Sequence, residues 1–402
     1  MHEETPLIFL VAMGLVLAFI GGFIAVRLRL SPIIGYLAAG IIMGPYTPGF
    51  VGDAHLAGEL AEIGVILLMF GVGMHFSIAD LWAMRSIAVP GAVIQILVAT
   101  TLGTCLGLFW GWPFSAGLIF GLALSVASTV VMLRAMESSG RVNTPDGKIA
   151  IGWTVVEDIV MVLTLVLLPA FFGQTSGDTT ESAHAGGAVW LSFIIALAKV
   201  AVFIALMLLL GTRIFPWLLR WVERTGSREL FTLAVVALAL GIAFGSAKLF
   251  GCSFALGAFF AGVVIHQSDL HHRASETLLP LQDAFGTLFF VAIGMLFDPM
   301  ILVRQPLHVL AVVAIIVIGK SIAAFAIVLL LRRPLSTALI VSAALAQIGE
   351  FSFILSALGI SLGLISPEAE NLIIAGALLS ILLNPLVFLA ISRLRVVKVT
   401  AG

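Results

Sequence analysis

The chain has 402 residues, 61% of them hydrophobic and 10% charged, with a net charge of −1 and a mean hydropathy of +1.20. A soluble domain carries about 25% charged residues, so a globular enzyme is excluded, lipid is the expected solvent, and no nucleic-acid partner is expected. Cys105 and Cys252 both lie in apolar runs and read as small packing residues rather than a disulfide or a metal pair.

The N-terminal stretch "MHEETPLIFLV" lacks a basic n-region and a small-residue cleavage site, so the first apolar run reads as a retained helix. A spanning helix needs about 20 mostly apolar residues. On that measure the sequence predicts thirteen spans, at 6–26, 32–44, 59–76, 87–110, 113–134, 149–173, 188–212, 229–247, 251–267, 282–297, 306–331, 334–360 and 369–392. The second and tenth are the shortest. Pro and Gly punctuate the junctions, as in "GPYTPG" at 44–49 and "FDP" at 297–299. The 40 glycines predict helices packed closely through small residues. The polar run "GQTSGDTTESAHAGG" at 173–187 reads as an external loop.

Loops after odd-numbered spans hold 16 of the 20 basic residues, while the alternate loops hold only Lys248 and Arg304. The positive-inside rule then predicts an external N-terminus and a cytoplasmic C-terminus. Spans 1–6 start outside and spans 8–13 start inside. That predicts an all-α membrane protein built of two inverted six-helix halves. Residues 1–173 form the first half, 174–228 the external loop, linker span and basic cytoplasmic loop, and 229–402 the second half.

A charge at the bilayer centre costs about 2.5–3.5 kcal/mol on insertion scales. Glu157 and Asp158 in the sixth span, Lys320 in the eleventh and Glu350 in the twelfth therefore need partners or a function. Lys320 is expected to pair with Glu157 or Asp158 in at least one state. Lys199 also falls within a span, where snorkelling or packing against the linker accounts for it. "SVASTVVML" (125–133) and "AQIGEFSF" (346–353) look like helix interruptions. The first offers Ser125, Ser128 and Thr129, the second Gln347, Gly349, Glu350 and Ser352. Both fall in the fifth span of their half, and matched breaks in inverted repeats point to a midplane site. A carboxylate there binds either a proton or a dehydrated alkali cation. Burial favours the protonated form and a nearby cation the ionised one. One such group makes the two ions compete, which is the basis of exchange.

"GWTVVEDIVMVLTLVLLP", "SVASTVVMLRAME", "SFALGAFFAGVVI", "LFFVAIGMLFDP" and "LAQIGEFSFIL" resemble the bacterial monovalent cation:proton antiporters of the second family, in the Kef and YbaL-like branch. The likeness runs over about residues 5–395. It implies a homodimer in the bacterial inner membrane. Spans 1–3 and 8–10 would form its panel, and spans 4–6 and 11–13 an elevator-like transport core with spans 5 and 12 crossing at their breaks. It implies that Asp158 binds the ion, that Ser128 and Thr129 lie at the crossing, and that Lys320 is the intramembrane base. Relatives often carry Asn, Asp or Gln where Glu157 stands. Three roles stay open for Glu157: a second proton site, a partner neutralised by Lys320, or an acid kept protonated. The substrate is potassium, favoured by likeness to Kef, or sodium. No cofactor is expected in this chain. The family usually carries a cytoplasmic nucleotide-binding domain after the last helix, and regulation by nucleotide is expected only through such a domain.

A gated potassium channel is the alternative of another class, but no "TVGYG"-like filter loop is present. An organic-anion carrier would call for basic or aromatic groups at the breaks, where this chain places acids.

Overall fold

In lipid every backbone polar group must be satisfied within the protein, and a helix does so within one segment. The computed structural model meets that demand with helices. It describes residues 6–28, 30–47, 52–75, 78–138, 140–141, 144–172, 198–251 and 253–399. The polar run at 173–187, the first residues of the seventh span and Cys252 lie outside them.

In chain order the helices are α1 (Pro6–Arg27), α2 (Pro32–Met43), α3 (Ala54–His75), α4 (Ile78–Phe109), α5 (Phe114–Ser125), α6 (Thr129–Ser138) and α7 (Pro145–Phe172). They continue with α8 (Ala198–Glu223), α9 (Arg228–Phe250), α10 (Phe254–His266), α11 (His271–Leu296) and the single turn α12 (Ile301–Arg304). The last are α13 (Pro306–Leu330), α14 (Leu335–Ala344), α15 (Glu350–Ser361) and α16 (Pro367–Val399). Nine helices among the described residues are long and apolar enough to cross a membrane. Two short apolar helices, α2 and α10, and two interrupted spans, α5–α6 and α14–α15, bring the spans to the predicted thirteen.

The tenth span differs from its expected bounds. It starts at His271, not 282, because the polar run "HHRASETLLPL" continues the helix beyond its apolar part. Cys105 is unpaired and exposed on α4, so it is not the packing residue expected. Lys199 is also exposed, near the start of α8.

The chain divides into two compact units. One comprises Met1–Val16, Gly52–Phe76 and Val162–Ala292. Within it α3 and α10 touch backbone to backbone. A Cβ on Gly73 would strike the Phe259 carbonyl, and one on Gly262 the Phe70 carbonyl. Ser227 and Ser253 cap α9 and α10, accepting hydrogen bonds from the amides of Leu230 and Leu256. Between those helices Gly251 adopts φ 70°, a left-handed turn that suits glycine.

The other unit comprises Leu17–Val51, Ser77–Met161 and Ile293–Gly402, and it holds both interrupted spans. Its apolar centre gathers Trp153, Ala92, Met132, Val328, Val341 and Leu345. The Trp110 ring lies 4.4 Å from the His308 ring, so the end of α4 and the start of α13 share one side of this unit, as the loop alternation requires. Lys320 sits directly after a π-helical turn, Ile315–Gly319. Such turns recur at functional sites.

Candidate functional site

The two interruptions run over residues 126–128, between α5 and α6, and 345–349, between α14 and α15. Each opens backbone groups that lipid cannot satisfy, and a buried orphan costs about 1–3 kcal/mol. Side chains from neighbouring helices close most of them. Gln347 is the central clasp: its Oε1 accepts from the Ser128 amide at 2.9 Å, and its Nε2 donates to the Ser128 carbonyl at 3.0 Å. One break is thus tied to the other through a side-chain amide that stands in for a peptide group. Gly349 lies against the same residue, and a Cβ there would meet the Ser128 backbone nitrogen at 2.8 Å. The breaks therefore cross in contact, as the resemblance implied.

Flanking helices complete the closure. In the first break the Ala127 amide donates to Glu157 Oε2 at 2.8 Å, and Gln95 Nε2 donates to the Ser125 carbonyl at 2.9 Å. Trp153 Nε1 donates to Gln95 Oε1, also at 2.9 Å, and fixes that amide. In the second break Lys320 Nζ donates to the Gln347 carbonyl at 2.9 Å, and Asn384 Nδ2 to the Ala343 carbonyl at 2.9 Å. Ser352 Oγ ties α15 to the Ala123 carbonyl of α5 at 2.6 Å.

These contacts repeat between the halves. Gln95 on the fourth span and Lys320 on the eleventh each donate to a carbonyl opened by a break. Glu157 on the sixth span accepts from Ala127, and Ser380 on the thirteenth accepts from the Ile348 amide at 3.4 Å. Both breaks are thus closed in the same way, by a side-chain donor to a carbonyl and a side-chain acceptor for an amide.

The predicted site residues come together here. Thr129 Oγ1 donates to Asp158 Oδ2 at 3.0 Å, and Ser128 Oγ accepts from the Val131 amide, capping α6. Glu157 and Lys320 are fully buried, while Asp158 and Glu350 are 7% and 5% exposed. In this state no ion pair within 4.0 Å includes Lys320 among the described residues. Its Nζ donates to the opened Gln347 carbonyl instead. Glu157 is nevertheless the charge it interacts with. Glu157 Oε1, Asp158 Oδ1 and Glu350 Oε2 are buried without a hydrogen-bond partner. The arrangement thus sets buried carboxylates near the meeting point of two helix N-termini, with hydroxyls and the Lys320 ammonium beside them. It can hold a proton or a small cation.

Gln95, Trp153, Ser380 and Asn384 escaped the sequence reading. A Gln in "GAVIQILVAT" and an Asn in "SILLNPLVF" are polar residues inside apolar runs, and that was the available signal.

Comparison with known proteins places the chain in a family and a fold. Residues 15–392 match the family described as "Sodium/hydrogen exchanger, transmembrane". The chain is 56% identical over 394 residues to the Escherichia coli (strain K12) protein named "Putative cation/proton antiporter YbaL", covering 98% of this chain and 70% of that one. It is 33% identical to K(+) efflux antiporter 4 of Arabidopsis thaliana, over 91% of this chain and 61% of the plant protein. The solved sodium proton antiporter MjNhaP1 of Methanocaldococcus jannaschii superposes with a TM-score of 0.67 at 18% identity, over 95% of this chain and 98% of that one. That last likeness speaks for the fold.

Proposed function

Because this chain belongs to the sodium/hydrogen exchanger family, we propose that it is a secondary antiporter that exchanges potassium for protons at Asp158. The observation that carries this reading is the buried Asp158, with Oδ2 held by Thr129 and Oδ1 unpartnered beside two crossed helix breaks. An ionised Asp158 offers a dehydrated cation a full negative charge, and the Thr129 hydroxyl lies next to it, with Ser128 adjoining in the break as a further source of oxygen. A protonated Asp158 offers none, so the two ions exclude each other. Glu157 and Lys320 position the site: one holds the Ala127 amide, the other the Gln347 carbonyl. Gln347 joins the breaks, which favours their moving together as part of an elevator-like core within a homodimer.

Potassium is preferred to sodium because of the likeness to the plant K(+) efflux antiporter. The test is lumenal pH in proteoliposomes of the purified chain, with the voltage clamped at zero. Addition of potassium should move protons, and sodium should do so less well. Equal responses would remove the potassium preference. Cation flux without proton movement would favour a channel.

A further inference from the structure

The three orphaned carboxylate oxygens are not equivalent. Glu157 is accounted for, because its second oxygen holds the Ala127 amide and Lys320 is its charge partner. Asp158 and Glu350 have no basic side chain within 4.0 Å among the described residues. Each nevertheless leaves one oxygen buried and unpaired.

Each acid is tied to the start of a half-helix. Asp158 is bonded to Thr129, the first residue of α6, and Glu350 is the first residue of α15. The contact of Gly349 with Ser128 draws those two helix starts together. The Glu350 charge bears on Asp158. A helix N-terminus supplies about half a positive charge. Two of them offset only about one of the two carboxylates, so the pair is short of about one positive charge.

We propose that Glu350 is a direct ligand of the transported ion, and that Asp158 Oδ1 and Glu350 Oε2 are the two carboxylate oxygens that grip one dehydrated monovalent cation. This assignment rests on the antiporter reading above. It gives Glu350 more than a charge at the helix start, for that role leaves its buried, unpartnered Oε2 unexplained. Alkali cations take oxygen ligands, and an acid on α7 tied to the start of α6, together with the acid that begins α15, gives a seat whose width the breaks set. The Thr129 hydroxyl holds Asp158 in place.

The test uses the full chain in proteoliposomes at clamped voltage, with potassium and sodium each as probe. The wild type, Glu350→Gln and Glu350→Asp are compared for half-saturating cation concentration and for cation-induced rise in melting temperature. Gln keeps the shape but loses the charge. Glu350→Gln should raise the half-saturating concentration about tenfold or more, as expected for a lost charge-assisted contact. It should also lose most of the cation-induced stabilisation. Glu350→Asp keeps the charge but widens the seat by one methylene, so it should retain exchange with a changed potassium-to-sodium ratio. A Glu350→Gln protein with wild-type half-saturation and stabilisation overturns the assignment. Should that variant not fold, an unchanged cation ratio in Glu350→Asp overturns it instead. A wild type that moves no protons with either cation would sink the antiporter reading itself, a different result.

Discussion

Glu157 and Asp158 are consecutive on α7 and so point about 100° apart. The structure sends them to different partners, the Ala127 amide and the Thr129 hydroxyl. This divides their labour. Glu157→Gln keeps an acceptor for Ala127, so exchange should survive with its pH dependence shifted, because a charge beside Asp158 and Lys320 is lost. A pH series of initial rates in proteoliposomes reads this, and a profile superimposable on wild type would contradict it. Lys320→Met leaves the Gln347 carbonyl buried without its donor, a loss of about 1–3 kcal/mol. Its melting temperature in detergent should fall, and Lys320→Gln should recover part of the loss. Equal melting of both variants and wild type would remove this role for Lys320. The charged residues were legible in the sequence because a carboxylate or ammonium in an apolar run is costly. Gln95, Ser380 and Asn384 were less so, because neutral polar residues also serve as ordinary packing partners. What separates the two cases is the hydrogen bond each makes to a broken helix, which only the fold reveals.

At the scale of the element, the site depends on two breaks that satisfy each other. Gln347→Leu removes the two bonds to Ser128 and should lower both melting temperature and transport. Gly349→Ala tests the crossing directly. Its Cβ would collide with the Ser128 backbone, so the breaks must part. Overpacking of this kind costs about 1–3 kcal/mol or more. Transport should be lost even where the protein still purifies as a single species, and wild-type rates for Gly349→Ala would refute the close crossing. Both breaks were legible because Ser, Thr, Gly and Gln cluster at matching places in "SVASTVVML" and "AQIGEFSF". The π-helical turn before Lys320 was not, because "IIVIG" is made of the same residues as any apolar helix. The early start of α11 was missed for the opposite reason. A helix that continues beyond its apolar part no longer carries the hydropathy by which spans are counted.

For the whole molecule, thirteen spans follow from hydropathy and the alternation of basic loops, since lipid leaves the chain few other options. The close packing of α3 on α10 was legible only as an abundance of glycine. Which glycines meet is fixed by tertiary register. The loop alternation further predicts that a cytoplasmic reporter fused after residue 402 is active, and that the same reporter in the polar run at 173–187 is silent. The reverse pattern would invert the topology. The central claim, that one buried carboxylate trades a proton for an alkali cation, is tested most directly by Asp158→Asn. Wild type and variant are reconstituted side by side, with the voltage clamped at zero, and lumenal pH is followed after addition of potassium or sodium. The account predicts a cation-driven pH change in the wild type and none in Asp158→Asn, with both proteins folded. Proton–cation exchange that persists in Asp158→Asn would contradict it.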